Sequence, residues 1–320
     1  MSKGFKAPWW LRGAHRQTVW STLTRRYPAL ETRRERLELS DGDFLDLAWA
    51  GGERGPIVLV LHGLEGSIES PYARGLLQEV VKRGWRGVLM HFRGCSGTPN
   101  RKKRAYHSGE TGDLAQVMEH LQEQTPDSPV VAVGYSLGGN VLLKWLGETG
   151  QDNVLRCAVG VSVPYDLEAC SRRMSEGWSR VYQEHLLRAL KVSYARKRPL
   201  EEVKQLRTIR AWDEKVTAPL HGFASAEDYY SRCSSRQFLK QIAVPTLLLH
   251  ARDDPFMTPS VVPSHRELSE SVSIEVSQRG GHVGFVEGHP WKPTFWLETR
   301  IPAFLEKYIE PTAEGGWPEP

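Results

Sequence analysis

Two periodicities alternate along this chain. Ile57-Val58-Leu59-Val60-Leu61 is a continuous apolar run that stops at His62-Gly63. A run apolar at every position suits a strand covered on both faces, as in a parallel sheet. Residues 70–83 then carry Leu76, Leu77, Val80 and Val81 at helical spacing, with Gly84 as the stop. Gly87-Val88-Leu89-Met90-His91-Phe92 reads as the next strand, and Leu114, Val117, Met118 and Leu121 as the next helix stripe. Val130-Val131-Ala132-Val133 and then the face Val141, Leu142, Trp145 and Leu146 repeat the pattern. Cys157-Ala158-Val159-Gly160-Val161, Thr246-Leu247-Leu248-Leu249 and Val272-Ser273-Ile274-Glu275-Val276 predict three more strands. A final amphipathic segment holds Phe295, Leu297, Ile301, Phe304 and Leu305, with a kink expected at Pro302. Upstream, Leu37 and Leu39, then Asp41-Gly42, then Phe44, Leu45, Leu47 and Trp49 predict a hairpin.

Strands and helices in alternation imply an α/β fold, a mostly parallel twisted sheet with helices on both faces. The rhythm breaks once, between the strands near Val161 and Thr246. A structureless loop of that length would be anomalous, and its apolar residues, Trp178, Val181, Tyr182, Leu186, Leu187 and Leu190, recur at helical spacing. The expected organisation is an irregular N-terminal arm (1–34) packed on the domain, a core (35–166 and 242–310), a helical cap insertion (167–241) and a C-terminal tail (311–320). The cap's stripe is expected to bury against the top of the sheet and to wall an acyl pocket.

The strongest chemical signal is Gly134-Tyr135-Ser136-Leu137-Gly138, a G-x-S-x-G segment between a strand and a helix. A serine hydroxyl is a weak nucleophile and must be exposed and aimed; a sharp strand-to-helix turn lifts its Oγ above the sheet. The backbone N–H of Leu137 is one expected oxyanion donor. The other is that of Leu64, in His62-Gly63-Leu64-Glu65-Gly66 after an earlier strand, with His62 bracing the loop. The acid and base should follow later strands. Asp253-Asp254-Pro255 follows the strand at 246–249, and Gly280-Gly281-His282 follows the one at 272–276. The order Ser136, Asp254, His282 is that of an α/β hydrolase. His289 competes for the base. Asp253 competes for the acid, although acceptance of backbone N–H groups in the turn suits it better.

Composition narrows the classes. The 320 residues have 25% charged and 40% hydrophobic positions and a net charge of +4, which excludes a disordered or multi-span membrane chain. That charge does not by itself imply nucleic acid. The segment 168–240 is more basic, with 15 Lys and Arg against 9 Asp and Glu; exposed charge of this kind adds only a weak preference for anionic substrates. Four scattered cysteines form no C-x-x-C pair, and His91, His107, Cys95 and Glu110 lack metal-ligand spacing. No metal, cofactor, nucleic acid or transmembrane segment is expected. The start lacks the apolar run of a signal peptide, so a cytoplasmic location is expected.

At these residues the chain resembles the YheT-like branch of the α/β-hydrolase superfamily, the AB hydrolase 4 family of carboxylic-ester hydrolases. The resemblance runs over nearly the whole chain. It includes Trp9-Trp10-Leu11 with His15, Gln17 and Thr18, then His62-Gly63-Leu64-Glu65-Gly66, Phe92-Arg93-Gly94-Cys95-Ser96-Gly97 and Tyr106-His107-Ser108-Gly109-Glu110-Thr111. The elbow through Asn140, Asp253-Asp254-Pro255-Phe256 and Gly280-Gly281-His282-Val283-Gly284-Phe285 complete it. It implies a serine esterase or lipase-like activity with Ser136, Asp254 and His282 as the triad. The expected substrate is a small neutral ester with a short- to medium-chain acyl group. A thioesterase or acyltransferase would use the same residues, and a non-catalytic ligand-binding member of the fold is the competing class.

Overall fold

Each apolar run read as a strand forms one in the computed structural model, which describes residues 4–25 and 27–309. The strands are β1 (Arg33–Glu38), β2 (Phe44–Ala50), β3 (Ile57–Leu61), β4 (Arg86–Met90), β5 (Val130–Tyr135), β6 (Ala158–Val161), β7 (Thr246–Ala251) and β8 (Val272–Ser277), with a separate hairpin of β9 (Val286–His289) and β10 (Lys292–Phe295). The helices are α1 (Ala14–Thr24), α2 (Pro71–Lys82), α3 (Thr111–Gln124), α4 (Leu137–Thr149), α5 (Leu167–Met174), α6 (Ser179–Ala195), α7 (Ile209–Trp212), α8 (Ala218–His221), α9 (Ala226–Cys233) and α10 (Leu297–Ile309).

The main sheet has the order β1-β2-β4-β3-β5-β6-β7-β8. The strands from β4 to β8 pair in parallel, and β2 runs against them. Because the parallel strands are covered on both faces, alternate residues of one strand enter different cores. Ile57, Leu59 and Leu61 join the layer of α3 and α4, while Val58 and Val60 join the layer of α2 and α10. The chain reverses direction across the sheet at β3, which pairs with both β4 and β5. Ligands of open α/β sheets bind beyond the carboxyl ends of the strands at such a reversal. The loop after β3 and the turn after β5 therefore emerge side by side.

Two sequence expectations change. The N-terminal arm is not wholly irregular, since it contains the eleven-residue α1. Its buried residues are the polar Gln17, Thr18 and Ser21, so no apolar stripe announced it. Phe295 belongs to β10 and not to the last helix, and the hairpin β9–β10 was unread. Helix α10 continues through Pro302, where the missing N–H forfeits one bond to the Glu298 carbonyl without ending the helix. The tail expected at 311–320 lies outside the described residues.

Candidate active site

Ser136 sits between β5 and α4 at φ 50°, ψ −117°, a conformation rare for a residue with a side chain. The tight turn explains its glycines. A Cβ on Gly134 would lie 2.6 Å from the Gly138 carbonyl oxygen, and one on Gly138 would lie 2.5 Å from the carbonyls of Leu61 and His62. Asn140 ties the turn down from below, donating to the carbonyls of Ser108 and Cys233.

The loop after β3 faces this turn. Tyr72 accepts the Gly63 N–H and Tyr106 accepts the Glu65 N–H, each at 2.8 Å. The Leu64 N–H between them has no partner among the described residues, and neither has that of Leu137. His62 braces the loop: its Nδ1 pairs with the Gly63 carbonyl at 2.6 Å, and its Nε2 accepts the Phe92 N–H at 3.1 Å. Burial pushes this histidine down to about 3, so it is neutral.

Three side chains predicted from sequence come together. His282 Nε2 lies 3.0 Å from Ser136 Oγ, and His282 Nδ1 lies 2.8 Å from Asp254 Oδ2. Asp254 is buried, and its other oxygen accepts the Phe256 N–H at 2.9 Å. The Phe256 ring stacks on His282 with centroids 4.0 Å apart. Asp253 accepts the Gly281 N–H at 2.9 Å, and burial holds its carboxyl above the usual range. His289 stacks on Trp291 in the hairpin β9–β10.

A cavity of about 560 Å³ opens over Ser136 and His282. Tyr182, His185 and Leu186 of α6 form one side, with Val19 and Leu23 of α1 at the rim. A model of the alpha/beta hydrolase fold matches residues 56–289. The chain belongs to the α/β-hydrolase fold family.

Within that family it is 48% identical over 309 residues to the Escherichia coli (strain K12) protein "Putative esterase YheT", covering 92% of this chain and 91% of that one. It is thus a member of the YheT-like branch and a hydrolase acting on esters. A mouse protein named Phospholipase ABHD3 is 27% identical over 320 residues, covering 94% of this chain and 78% of its own. Among solved structures, the Pyrococcus furiosus esterase Pf2001 has a TM-score of 0.60 at 18% identity, covering 88% of this chain and 94% of that one. At that identity the likeness is one of fold.

The sequence did not reveal how α1 holds the hydrolase's histidine loop. Thr18 Oγ1 accepts the His282 N–H at 2.9 Å, and Gln17 bonds both the N–H and the carbonyl of Val286. Gly281, at φ +61°, lies so close to α1 that a Cβ would sit 2.6 Å from the Ala14 carbonyl. Polar residues spaced along a basic arm carried this signal only through the family resemblance.

The expected apolar stripe of the cap divides. Trp178 and Val181 are 77% and 59% exposed. Val181 and Leu186 line the cavity over Ser136, Leu187 buries against Val203, Leu206, Trp212 and Val216, and Leu190 lines a second cavity. Insertion helices pack on one another as well as on the sheet, so one stripe serves several neighbours.

His107, Glu110 and His221 also converge, with donor atoms within 4.8 Å of one another. Local spacing could not bring His221 to the other two. Two of the three have other partners: His107 Nδ1 accepts the Gly109 N–H at 3.1 Å, and Arg104 pairs with Glu110. Burial pushes both histidines down to about 3. Among the described residues, no helix is long and apolar enough to cross a membrane.

Proposed function

We propose that the hydrolase cleaves carboxylic esters through an acyl-enzyme on Ser136, with His282 as general base and acid, Asp254 as the orienting carboxylate, and the Leu64 and Leu137 N–H groups as the oxyanion hole. The observation that carries this reading is the chain of contacts from Asp254 through His282 to Ser136, 2.8 and 3.0 Å long. Ser136 Oγ attacks the ester carbonyl carbon and passes its proton to His282 Nε2. The negative oxygen that forms is met by two N–H donors already fixed in place. Collapse of the tetrahedral intermediate expels the alcohol, which takes the proton from His282. Water, deprotonated by the same nitrogen, then releases the acid. Asp254 holds the tautomer with Nδ1–H and stabilises the imidazolium.

In this reading residues 167–241 act as a cap over the core (35–166 and 242–310), and the arm (1–34) steadies the His282 loop. The substrate is a small ester with a short- to medium-chain acyl group, since each buried methylene contributes roughly 0.8 kcal/mol until the cavity is filled. Four free cysteines, three of them buried, suit a reducing cytoplasm. The test is labelling with a fluorophosphonate, followed by peptide mapping. Modification at Ser136, lost in Ser136→Ala, is the expected result. A folded wild-type protein that is not modified there would overturn the mechanism in favour of a non-catalytic binding role.

A further inference from the structure

A second cavity, of about 150 Å³, lies between the cap and the core. It meets the cavity over Ser136 at a partition that both share: Leu64, Ser108, Leu137, Ile209, Asp213 and Tyr229. The walls are apolar, with Leu190, Trp212, Val216 and Leu220 from the cap. Its polar end is cationic. Lys103, Arg196, Lys197 and Arg198 line it; the first three are exposed and the fourth is half-buried. Among the described residues none of the four forms an ion pair. Lys197 is held by the Asn100 side chain and the Lys102 carbonyl, while Arg196 reaches only the Gly94 carbonyl, at 3.5 Å.

The other charged groups of this cavity are already occupied. Arg93 is bound by Asp41, Asp43 and Asp113. Glu65 accepts hydrogen bonds from Tyr106 and Ser193. Asp213 accepts them from Thr217 and Tyr230. Hydroxyl donors do not neutralise Glu65 or Asp213, and Glu65 also faces Arg196 electrostatically, but Lys103, Arg196, Lys197 and Arg198 outnumber these two carboxyls, so the lining carries an excess of positive charge. Three of these four cations are exposed, so salt screens them and weakens their pull on an anion.

The chemistry of the proposed reaction assigns a direction. His282 must protonate the leaving alcohol, so the alcohol lies on the His282 side, which belongs to the first cavity. The acyl chain leaves the carbonyl on the other side. Leu64 and Leu137, which bear the oxyanion donors, form part of the partition. We propose that the acyl chain passes this partition into the second cavity and ends in an anionic oxyacid group, a carboxylate or a phosphate, held by Lys103, Arg196 and Arg198. The substrate class is then an ester whose acyl part is apolar in the middle and negatively charged at its far end. This inference rests on the serine-hydrolase reading above.

The test uses 4-nitrophenyl esters of rising acyl length in three matched series, ending in methyl, carboxylate or phosphonate. The wild-type hydrolase should prefer a charged terminus over methyl by about tenfold in kcat/KM at one chain length. Which charged series leads identifies carboxylate or phosphate as the natural terminus. The preference should shrink as ionic strength rises, and should fall about tenfold in the double variant Arg196→Ser, Arg198→Ser. Methyl-terminated esters preferred at every length, with a ratio unmoved by the double variant, would overturn the inference while leaving the esterase reading intact. Calorimetric binding of the same esters to Ser136→Ala reads the anion seat without chemistry. A preference for the charged terminus there supports the seat even if wild-type turnover is absent, and its absence from binding overturns the seat.

Discussion

The hydroxyl of Thr18 accepts the backbone N–H of His282 at 2.9 Å, joining the N-terminal helix to the residue that faces the serine. Thr18→Val keeps the shape and removes the acceptor, leaving a partly buried N–H unpaired at a cost of about 1–3 kcal/mol. Displacing a catalytic group by about 1 Å can cost up to 10²-fold in rate. The expected result is a fall of roughly tenfold in kcat with KM little changed. Thr18→Ser, which keeps the oxygen, should retain most of the activity. Steady-state kinetics on a short-chain ester would decide, and equal rates for Val and wild type would show that the Thr18 bond does not position His282.

Ser136→Ala should lose turnover by several orders of magnitude while remaining folded. What is left is the contribution of the oxyanion donors and of binding, roughly 10³-fold over water. Ester hydrolysis followed alongside circular dichroism separates lost chemistry from lost structure.

The two histidines should differ sharply. His282→Ala is expected to be about as damaging as the serine change, because nucleophile and base act as one unit. His289→Ala removes a ring that stacks on exposed Trp291 and should leave kcat/KM within about twofold. A larger loss at His289 than at His282 would reassign the base.

Asp254→Asn and Asp253→Asn offer a similar contrast. Asn at 254 cannot stabilise the imidazolium and favours the wrong tautomer, so kcat should drop by up to about 10⁴. Asp253 bonds the Gly281 backbone, so its amide should cost mainly stability, seen as a lowered Tm. Equal losses of kcat would leave the acid undecided between the two.

Stability should fall on mild acidification. Burial pushes His62, His107 and His221 down to about 3 and His250 to about 4, from an ordinary 6.5. Below 6.5 the unfolded chain takes up protons that the folded chain refuses, so each histidine removes up to about 1.4 kcal/mol per pH unit as pH falls through that range. Asp213 opposes them: burial holds its carboxyl up at about 6, so its contribution grows as pH falls. Burial raises the carboxyls of Glu65, Asp113, Asp253, Glu287 and Glu298 in the same sense and lowers His91 in the other; the four large histidine shifts decide the sign, so urea unfolding at about pH 5.5 should have a lower midpoint than at pH 7. A midpoint unchanged across that range would mean these histidines are not held neutral.

The core was legible because its strands are apolar at every position. Ile57 to Leu61 could hardly be anything but a strand buried on both faces, and the G-x-S-x-G turn after β5 carries its own steric logic. Helix α1 was illegible for the opposite reason. Its buried face is Gln17, Thr18 and Ser21, and the first two bond the backbone of Val286 and His282, nearly the whole chain away. The cap's helices were legible as helices, but the destination of their stripe was not. Trp178 points to solvent and Leu187 into a small core of the cap itself, because spacing along one helix does not say which of several neighbours each side receives.

Helix α6 presents Val181 and Leu186 to one chamber and Leu190, Ser193 and Tyr194 to the other, so a single rigid rod serves as the common wall of two rooms. Leu186, Leu190 and Ser193 are three or four residues apart and share one face of that rod, so moving it away from the core widens both rooms together. With the acid seated in the second cavity as proposed, tolerance for a bulkier alcohol and tolerance for a longer acid should be geared together, and a variant selected at this helix for one half of the substrate should have its appetite for the other half reset in the same stroke.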